Sequence, residues 1–294
     1  MMAQPPSYPA AGPTVLRILL GAQLRRLRES KGVTREDAGY AIRASESKIS
    51  RMELGRVGFK DRDVTDLLSL YGVHDEEECA ALLALAHESN TPGWWHRYGD
   101  IIPAWFQSYV GLETAATLIR PYEVKFIPGL LQTEDYARAV ILLGHRNASP
   151  LEVEHRVRLR VERQQSVFER PGGAPRIWAV VDEAALRRPI GRPEVMRAQL
   201  QRLIEATSLP NIRLQVIPFS SGGYAAAGAP FTIMRFPGGD LPDVVYIEHL
   251  TSALYLDKRE DVNAYALMMD QLCVEAEPPV RTPELLEKAL RDIG

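Results

Sequence analysis

The sequence predicts two domains, an all-α domain followed by an α+β domain. From Val15 to about residue 88, apolar residues recur at helical spacing in five short segments separated by glycines and capping residues. Beyond about residue 170, the sequence contains short runs rich in β-branched residues, in which apolar and polar residues alternate. Between them, Ser89–Pro103 interrupts the pattern with prolines and glycines. We therefore expect an all-α domain over 15–90 and an α+β domain over 91–294.

Start and stop signals divide the N-terminal segment into helices. Gly32 and Gly55 follow basic or apolar last turns, while Thr34 and Ser45 are hydroxyl residues suited to the N-cap. Met1–Thr14 is rich in Pro and Ala and too poor in apolar surface to order itself, so we expect a disordered tail. The expected helices run from Val15 to about Lys31, Arg35–Ile42, Glu46–Leu54, Asp61–Tyr71 and Asp75–Glu88.

The C-terminal segment alternates helical and strand patterns, which favours an α+β fold. The expected helices are Trp105–Ile119, Thr133–Leu143, Pro150–Phe168, Arg192–Thr207 and Lys258–Glu275. Five strands are expected, at Ile177–Val181, Ile212–Ile217, Pro230–Phe236, Val244–His249 and Ala253–Leu256. The order of these strands in a sheet does not follow from the pattern.

The charge of the chain is unevenly distributed. The whole chain has a net charge of −3, but Val15–Arg62 holds twelve basic and six acidic residues. A basic segment on a faintly acidic chain is typical of a module that binds phosphates. The two cysteines and six histidines show no metal-ligand or disulfide spacing, and we find neither a secretory leader nor a membrane span. We expect a cytoplasmic protein without cofactor or metal.

The second and third expected helices form the pattern of a helix-turn-helix. Ala38 and Ala41 are small enough for a close helix crossing, and Ile42 and Ile49 supply a shared core. The third helix leaves one face that packing does not need, and such a face fits the DNA major groove. Its residues are Glu46, Ser47, Lys48, Ser50 and Arg51.

Thr34-Arg-Glu-Asp-Ala and Ser45-Glu-Ser-Lys-Ile-Ser-Arg-Met-Glu-Leu-Gly resemble the Xre/Cro family of repressor-type helix-turn-helix domains. The resemblance implies double-stranded DNA as partner. It places Arg51 and Lys48 in the groove, Glu46, Ser47 and Ser50 beside them, and Arg35 and Arg43 on phosphates. Arg35 and Glu46 stand where glutamine is common in that family. Glu46 accepts from cytosine N4 but repels phosphate.

The C-terminal segment resembles a domain of unknown function found behind such heads in actinobacterial antitoxin-like regulators. The resemblance covers about Trp94 to Asp270 and includes Pro128-Gly-Leu-Leu-Gln-Thr-Glu-Asp-Tyr-Ala-Arg-Ala and Val216-Ile-Pro-Phe. The resemblance does not define the biochemical role of this domain. Because one helix-turn-helix covers only a few base pairs, we expect a homodimer, with the C-terminal domain dimerising the chain and either sensing a small-molecule effector or binding a small partner protein. An antitoxin-like protein that uses DNA binding for autoregulation is the alternative function.

Other residue groups have competing interpretations. Trp94 and Trp95 fit either an aromatic ligand site joined by Arg120 and Tyr122 or a structural wedge. Asp182 and Glu183 are adjacent at a strand end, where side chains point to opposite faces, so they form a poor catalytic pair and favour an N-cap role for the acid. No nucleophile motif or dinucleotide motif stands in its required context. We expect no enzymatic activity.

Overall fold

The structure is a computed structural model that describes residues 12–223, 229–237 and 241–293. It divides into two compact units, Met1–Arg97 and Tyr98–Gly294, called here the N-terminal and C-terminal units. The N-terminal unit is helical, and the C-terminal unit combines helices with one mixed sheet. The predicted fold class, an all-α domain followed by an α+β domain, is confirmed.

The N-terminal unit holds the five expected helices. They are α1 (Pro13–Ser30), α2 (Arg35–Ala41), α3 (Glu46–Glu53), α4 (Asp61–Leu70) and α5 (Glu76–Ser89), followed by a short 3-10 helix at Trp94–Tyr98. The first helix begins at Pro13, two residues earlier than expected, since proline suits the first helical position. Thr14 is helical and buried, which corrects the end of the expected tail; residues 1–11 lie outside the described residues.

The core of the N-terminal unit joins residues from all five helices. Leu20 and Leu24 of α1 pack with Ile49 and Met52 of α3 and with Leu67 of α4. Each of these side chains is almost fully buried, which contributes about 1.5–3 kcal/mol per side chain relative to exposure. The helices of the expected helix-turn-helix are therefore held by a shared apolar core.

The C-terminal unit contains a six-stranded sheet with seven helices in its described residues. The strands are β1 (Leu118–Glu123), β2 (Arg176–Asp182), β3 (Ile212–Ile217), β4 (Phe231–Arg235), β5 (Val244–Glu248) and β6 (Ala253–Leu256). The helices are α6 (Ala104–Ala115), α7 (Glu134–Gly144), α8 (Pro150–Phe168), α9 (Glu183–Arg187), α10 (Pro193–Thr207), α11 (Arg259–Glu275) and α12 (Thr282–Arg291).

Strand β1 departs from the sequence prediction. A single helix over Trp105–Ile119 was expected, but α6 ends at Ala115 and a strand follows at once. Pro121 lies within this strand, which is central in the sheet because it pairs with both β2 and β4. Proline lacks a ladder donor and is rare in central strands, so it hid the strand pattern. The sheet has six described strands rather than the five predicted.

The strand order is β3-β2-β1-β4-β5-β6. β1, β2 and β3 are parallel, while β4 runs antiparallel to β1 and the remaining pairs are antiparallel. The chain winds outward from β1 to β3 and then returns to the other side of β1. Strand β1 is thus the point at which the direction of winding reverses.

The two faces of the sheet have different neighbours. Tyr122, Val180 and Val245 lie in one apolar cluster with Met269 and Leu272 of α11. On the opposite face, the Tyr109 ring of α6 lies 4.2 Å from the Tyr246 ring of β5. Because side chains alternate along a strand, Glu123 and Glu248 share this second face with Tyr246.

Candidate nucleic-acid interface

Helix α2 begins with a complete capping box. The Thr34 hydroxyl accepts a hydrogen bond from the Asp37 backbone N–H at 3.1 Å, and the Asp37 carboxylate accepts from the Thr34 backbone N–H at 3.4 Å. Two N-terminal donors of the helix are satisfied in this way, which stabilises the start of α2. The local sequence therefore defines where the first helix of the pair begins.

The turn between α2 and α3 depends on a close backbone approach. A Cβ atom added to Gly39 would lie 2.8 Å from the Ala44 carbonyl oxygen, too close for any larger residue without a shift. Ala38 is fully buried as expected, but Ala41 is exposed, so the close approach is made at Gly39 instead. Arg43 has φ of 54°, the left-handed conformation that usually favours glycine. A non-glycine residue thus occupies the strained position of this turn.

Helix α3 has one buried and one exposed face. The Ser45 hydroxyl caps it by accepting from the Lys48 backbone N–H at 3.3 Å. Ile49, Met52 and Glu53 point inward. Glu46, Ser47 and Arg51 are exposed, while Lys48 and Ser50 are half-buried. The face predicted for the major groove is therefore largely presented to solvent.

Glu53 connects three helices of the N-terminal unit. Its carboxylate is only 5% exposed and accepts from Arg28 Nε of α1 at 2.5 Å and from Arg35 Nε of α2 at 3.0 Å. Arg28 also donates to the Val33 carbonyl oxygen at 2.9 Å. The hydrogen bond to Glu53 raises the pKa of Arg28 above its ordinary value. This cluster holds α3 at a defined position against α1 and α2.

Lys48 was expected on a face of α3 that packing does not need, but it contacts α4. Its Nζ lies 2.5 Å from Asp63 Oδ2, so it forms an ion pair between α3 and α4. A long side chain at the edge of a helix contact reaches a neighbouring acid that sequence spacing does not reveal. Arg35 is similarly engaged by Glu53. Of the predicted basic contacts, Arg43 and Arg51 are the exposed ones.

The four residues proposed for a ligand site have different surroundings. Trp94 and Trp95 belong to the N-terminal unit, where their rings meet edge to face at 5.9 Å and Trp95 is 2% exposed. Tyr122 is buried beneath α11. Arg120 Nη2 donates to Asp270 Oδ1 at 2.7 Å. Tyr122 and Arg120 thus have structural neighbours within the C-terminal unit, and a ligand-binding role for these residues stays a prediction.

Sequence reasoning missed Gly39, Tyr40 and the role of Glu53. Tyr40 is 87% exposed on α2, three residues before Arg43. A signal for Glu53 exists in the sequence, since it lies within the Ser45–Gly55 segment that resembles the Xre/Cro family. Its arginine partners lie 25 and 18 residues away in the chain, so no spacing rule identifies them. Asp182 does serve as the predicted N-cap, accepting from the Ala184 N–H at 2.7 Å.

The part of the chain that the structure describes has neither a candidate membrane-spanning helix nor a candidate metal-binding cluster. No helix there has the length and apolar composition needed to cross a bilayer. The same residues contain no group of three or more histidine, cysteine, aspartate or glutamate side chains placed to hold a metal ion.

Two family models match the chain, one in each unit. A helix-turn-helix domain model (HTH_31) matches residues 19–82, from α1 to α5. The model of the domain of unknown function DUF5753 matches residues 106–288, which is more than half of the chain. No curated protein and no solved structure matches the chain. The helix-turn-helix match indicates a DNA-binding regulator, and the chain belongs to the family defined by the DUF5753 domain.

Proposed function

We propose that this protein is a cytoplasmic, non-enzymatic transcription regulator that binds specific double-stranded DNA sequences as a homodimer. The observation that carries the proposal is the exposed face of α3, with Ser47 and Arg51 opposite the buried Ile49 in a matched helix-turn-helix domain. A helix of this kind, capped at its N-terminus and held from behind, fits the major groove. The Xre/Cro-type resemblance of α2 and α3 supports the same assignment.

The predicted DNA-binding residues receive different roles. Arg51 is placed on a base edge, with Glu46, Ser47 and Ser50 beside it. Arg43, exposed at the turn, is placed on a phosphate. Lys48 and Arg35 contact DNA at the border of the interface, where a phosphate competes with Asp63 or Glu53 for the cation.

We infer a homodimer from the small number of base pairs that one helix-turn-helix domain contacts. One recognition helix reads only a few base pairs, so two copies related by a two-fold axis are needed to read a full site. The half-sites would then lie one helical turn apart, about 34 Å, or a multiple of that distance. We assign dimerisation to the C-terminal unit.

The C-terminal unit is also the part that regulates DNA binding. It senses a small-molecule effector in the first version of the proposal. In the alternative, antitoxin-like version it binds a small partner protein, and DNA binding serves autoregulation. Co-purification of a small protein in fixed stoichiometry favours the second version, while a thermal shift with a metabolite favours the first.

Selection of duplex DNA from a random pool at physiological salt tests the main proposal. An enriched inverted repeat supports it, and its half-site spacing reports the dimer. We expect Arg51→Ala to reduce affinity for that sequence by about tenfold, because a good base contact contributes ~1–3 kcal/mol. Arg146→Ala, an exposed arginine of the C-terminal unit, is the matched control. Affinity equal to that of the control variant contradicts the assignment of Arg51.

Arg43→Gly separates a DNA contact from a folding effect. Glycine adopts the positive φ of Arg43 without strain, so the variant should be as stable as the wild type or more stable, by up to about 1 kcal/mol. If Arg43 binds a phosphate, DNA affinity nevertheless falls and the salt dependence of binding becomes less steep by about one charge. Unchanged salt dependence removes Arg43 from the interface.

A further inference from the structure

Three of the four arginines of α8 have different partners. Arg156 Nη2 binds Glu152 at 2.8 Å, and Arg163 Nε binds Glu113 at 2.6 Å. Arg160 donates instead to a neutral acceptor, the Gln132 Oε1 atom, at 2.9 Å. Among the described residues, no carboxylate lies within ion-pair distance of Arg160, although this arginine is half-buried. Its charge is therefore not offset by a direct partner.

The guanidinium groups of Arg160 and Arg163 both lie next to Gly129. A Cβ atom at Gly129 would lie 2.7 Å from Arg160 Nη1 and 2.6 Å from Arg163 Nη2. Both guanidinium groups thus lie against one residue that has no side chain. Glu113 neutralises only Arg163, so the second positive charge remains beside it. Two adjacent cations of this kind favour a bound anion.

Two glutamates lie at the end of the sheet on the face that carries Tyr246. Glu123 is the last residue of β1 and Glu248 is the last residue of β5. When the pairing of β4 with β1 and with β5 is extended to position 230, this position lies opposite Glu123 on one side and opposite Glu248 on the other. The two glutamates are therefore separated by the width of one strand. Two strand spacings place their Cα atoms about 10 Å apart. Side chains on the same face at that distance can reach one small molecule between them.

Ring contacts and electrostatic interactions join these glutamates to the arginines of α8. The Arg163 guanidinium lies 5.4 Å from the centroid of the Tyr109 ring, which packs on Tyr246, and the Tyr246 hydroxyl donates to Glu248 Oε2 at 2.8 Å. Burial and the charge of Glu248 raise the pKa of Glu123 to about 8, while Arg160 and Arg163 act in the opposite direction. Burial and the neighbouring Arg163 lower the pKa of Arg160 to about 10, against the opposing effect of Glu113 and Glu248. The four side chains therefore form one group of mixed charge whose members are incompletely paired.

The topology identifies the same end of the sheet independently. The carboxyl ends of β1, β2 and β3 lie at one edge, and β5 ends there too because it runs parallel to β1. Winding reverses direction at β1. In open α/β sheets, ligands bind outside the carboxyl ends of strands at such a reversal. Glu123 stands at the carboxyl end of the strand where the reversal occurs.

We propose that Arg160, Glu123 and Glu248 form a binding site for a small zwitterion of the amino-acid class. The ligand carboxylate accepts two parallel hydrogen bonds from the Arg160 guanidinium, and its ammonium group lies between the two glutamates. With a pKa of about 8, Glu123 is mainly protonated at neutral pH, and a ligand ammonium group beside it favours its carboxylate form. A purely anionic ligand offers no such partner to Glu123 or Glu248, and a purely cationic one leaves Arg160 without a counter-charge. The ligand of this site would be the effector of the regulator proposed above. The regulatory role of the site rests on that proposed function, whereas the binding of the ligand does not.

The test is the thermal unfolding of the full chain, without DNA, with each of the common L-amino acids at millimolar concentration. A ligand that binds the folded state raises the unfolding temperature. We expect a shift with at least one amino acid, and weaker or absent shifts with acetate or methylamine alone. If no amino acid shifts the unfolding temperature, the proposal is wrong.

Variants locate the site once a shift is found. Arg160→Gln and Glu123→Gln should each weaken binding by about tenfold or more, because the first removes the two charged hydrogen bonds to the ligand carboxylate and the second removes a charged partner of its ammonium group. Gly129→Ala keeps every charge but displaces the guanidinium groups, and it should weaken binding as well. Arg158→Gln, an exposed arginine of α8, is the control. A shift of equal size in all four variants overturns the assignment.

The two proposals can fail separately. Ligand binding is measured without DNA, and DNA selection needs no amino acid if the unliganded chain binds. An enriched DNA site with no amino-acid binding retains the regulator and removes this site. Amino-acid binding with no enriched DNA in either the presence or absence of the ligand retains the site and removes its regulatory meaning.

Discussion

Each unit buries a glutamate against arginine, Glu53 in the N-terminal unit and Glu113 in the C-terminal unit. Glu53 accepts from two guanidinium groups, Arg28 and Arg35, which come from different helices. Glu113 pairs with Arg163 alone, while Arg160 stands beside that pair bonded to a neutral amide. In the first unit the carboxylate is saturated by cations, and in the second unit a nearby cation has no direct counter-charge.

The difference separates a structural cluster from a candidate site. The buried Glu53 carboxylate accepts three charged hydrogen bonds from Arg28 and Arg35, so both of its oxygens are used to position α3. A half-buried arginine without an ion pair is costly to the fold unless something else offsets it. The incomplete pairing near Glu113 is therefore what points to a ligand.

The largest expected effect comes from breaking the Glu113–Arg163 pair. Glu113→Ala leaves a buried guanidinium without its counter-charge and should destabilise the C-terminal unit by about 3–5 kcal/mol. Hydrogen exchange of the β1 and β2 amides measures this unit separately from the other. Glu169→Ala, at an exposed acid, is the control. If exchange in the two variants is equal, the pair does not stabilise the sheet.

Replacing the charge of Glu53 should have a smaller effect. Glu53→Gln keeps an acceptor oxygen but weakens the hydrogen bonds from Arg28 and Arg35, and should destabilise the N-terminal unit by about 2 kcal/mol. DNA affinity should fall too, because α3 loses its support from α1 and α2. Exchange of the α3 amides is the measurement, with the exposed Glu36→Gln as control. If the α3 amides exchange faster but DNA affinity is unchanged, the Glu53 cluster stabilises α3 without contributing to DNA recognition.

Glu123→Gln sharpens the comparison through its pH dependence. The folded-state pKa of Glu123 is raised from 4.5 to about 8, so its contribution to stability is fully present below about pH 4.5 and lost as pH rises through about 8. The glutamine variant cannot titrate. Its stability relative to the wild type should therefore increase from pH 5 to pH 9. Parallel profiles in urea unfolding would show that burial and the charge of Glu248 do not raise the pKa of Glu123.

Much of the N-terminal unit follows from local sequence. Thr34 and Ser45 cap the helices they were expected to cap, and the apolar spacing of Leu24, Ile49 and Leu67 yields the observed core. The caps, and the apolar spacing within each helix, depend on residues within one or two turns of each other, so local sequence is sufficient to predict them. The residues of the DNA-binding face stay predictions, since their exposure permits contact with DNA without demonstrating it.

The C-terminal unit was predicted less completely. The central strand β1 was hidden by Pro121 and merged with the preceding helix. The pairing of Lys48 with Asp63 in the N-terminal unit was missed for a related reason, because the partners lie 15 residues apart on different helices. Each case depends on which segments become neighbours.

The sequence by itself determined the class of each unit, the helix boundaries near α2 and α3 and the uneven charge of the chain, because capping, periodicity and composition act over short distances. Only the tertiary structure decided which charges meet. Arg28 and Arg35 converge on Glu53, whereas Arg160 comes near Glu123 and Glu248 without an ion pair. The free energy of a charge depends on its burial and its neighbours in space, which strand order and helix packing define.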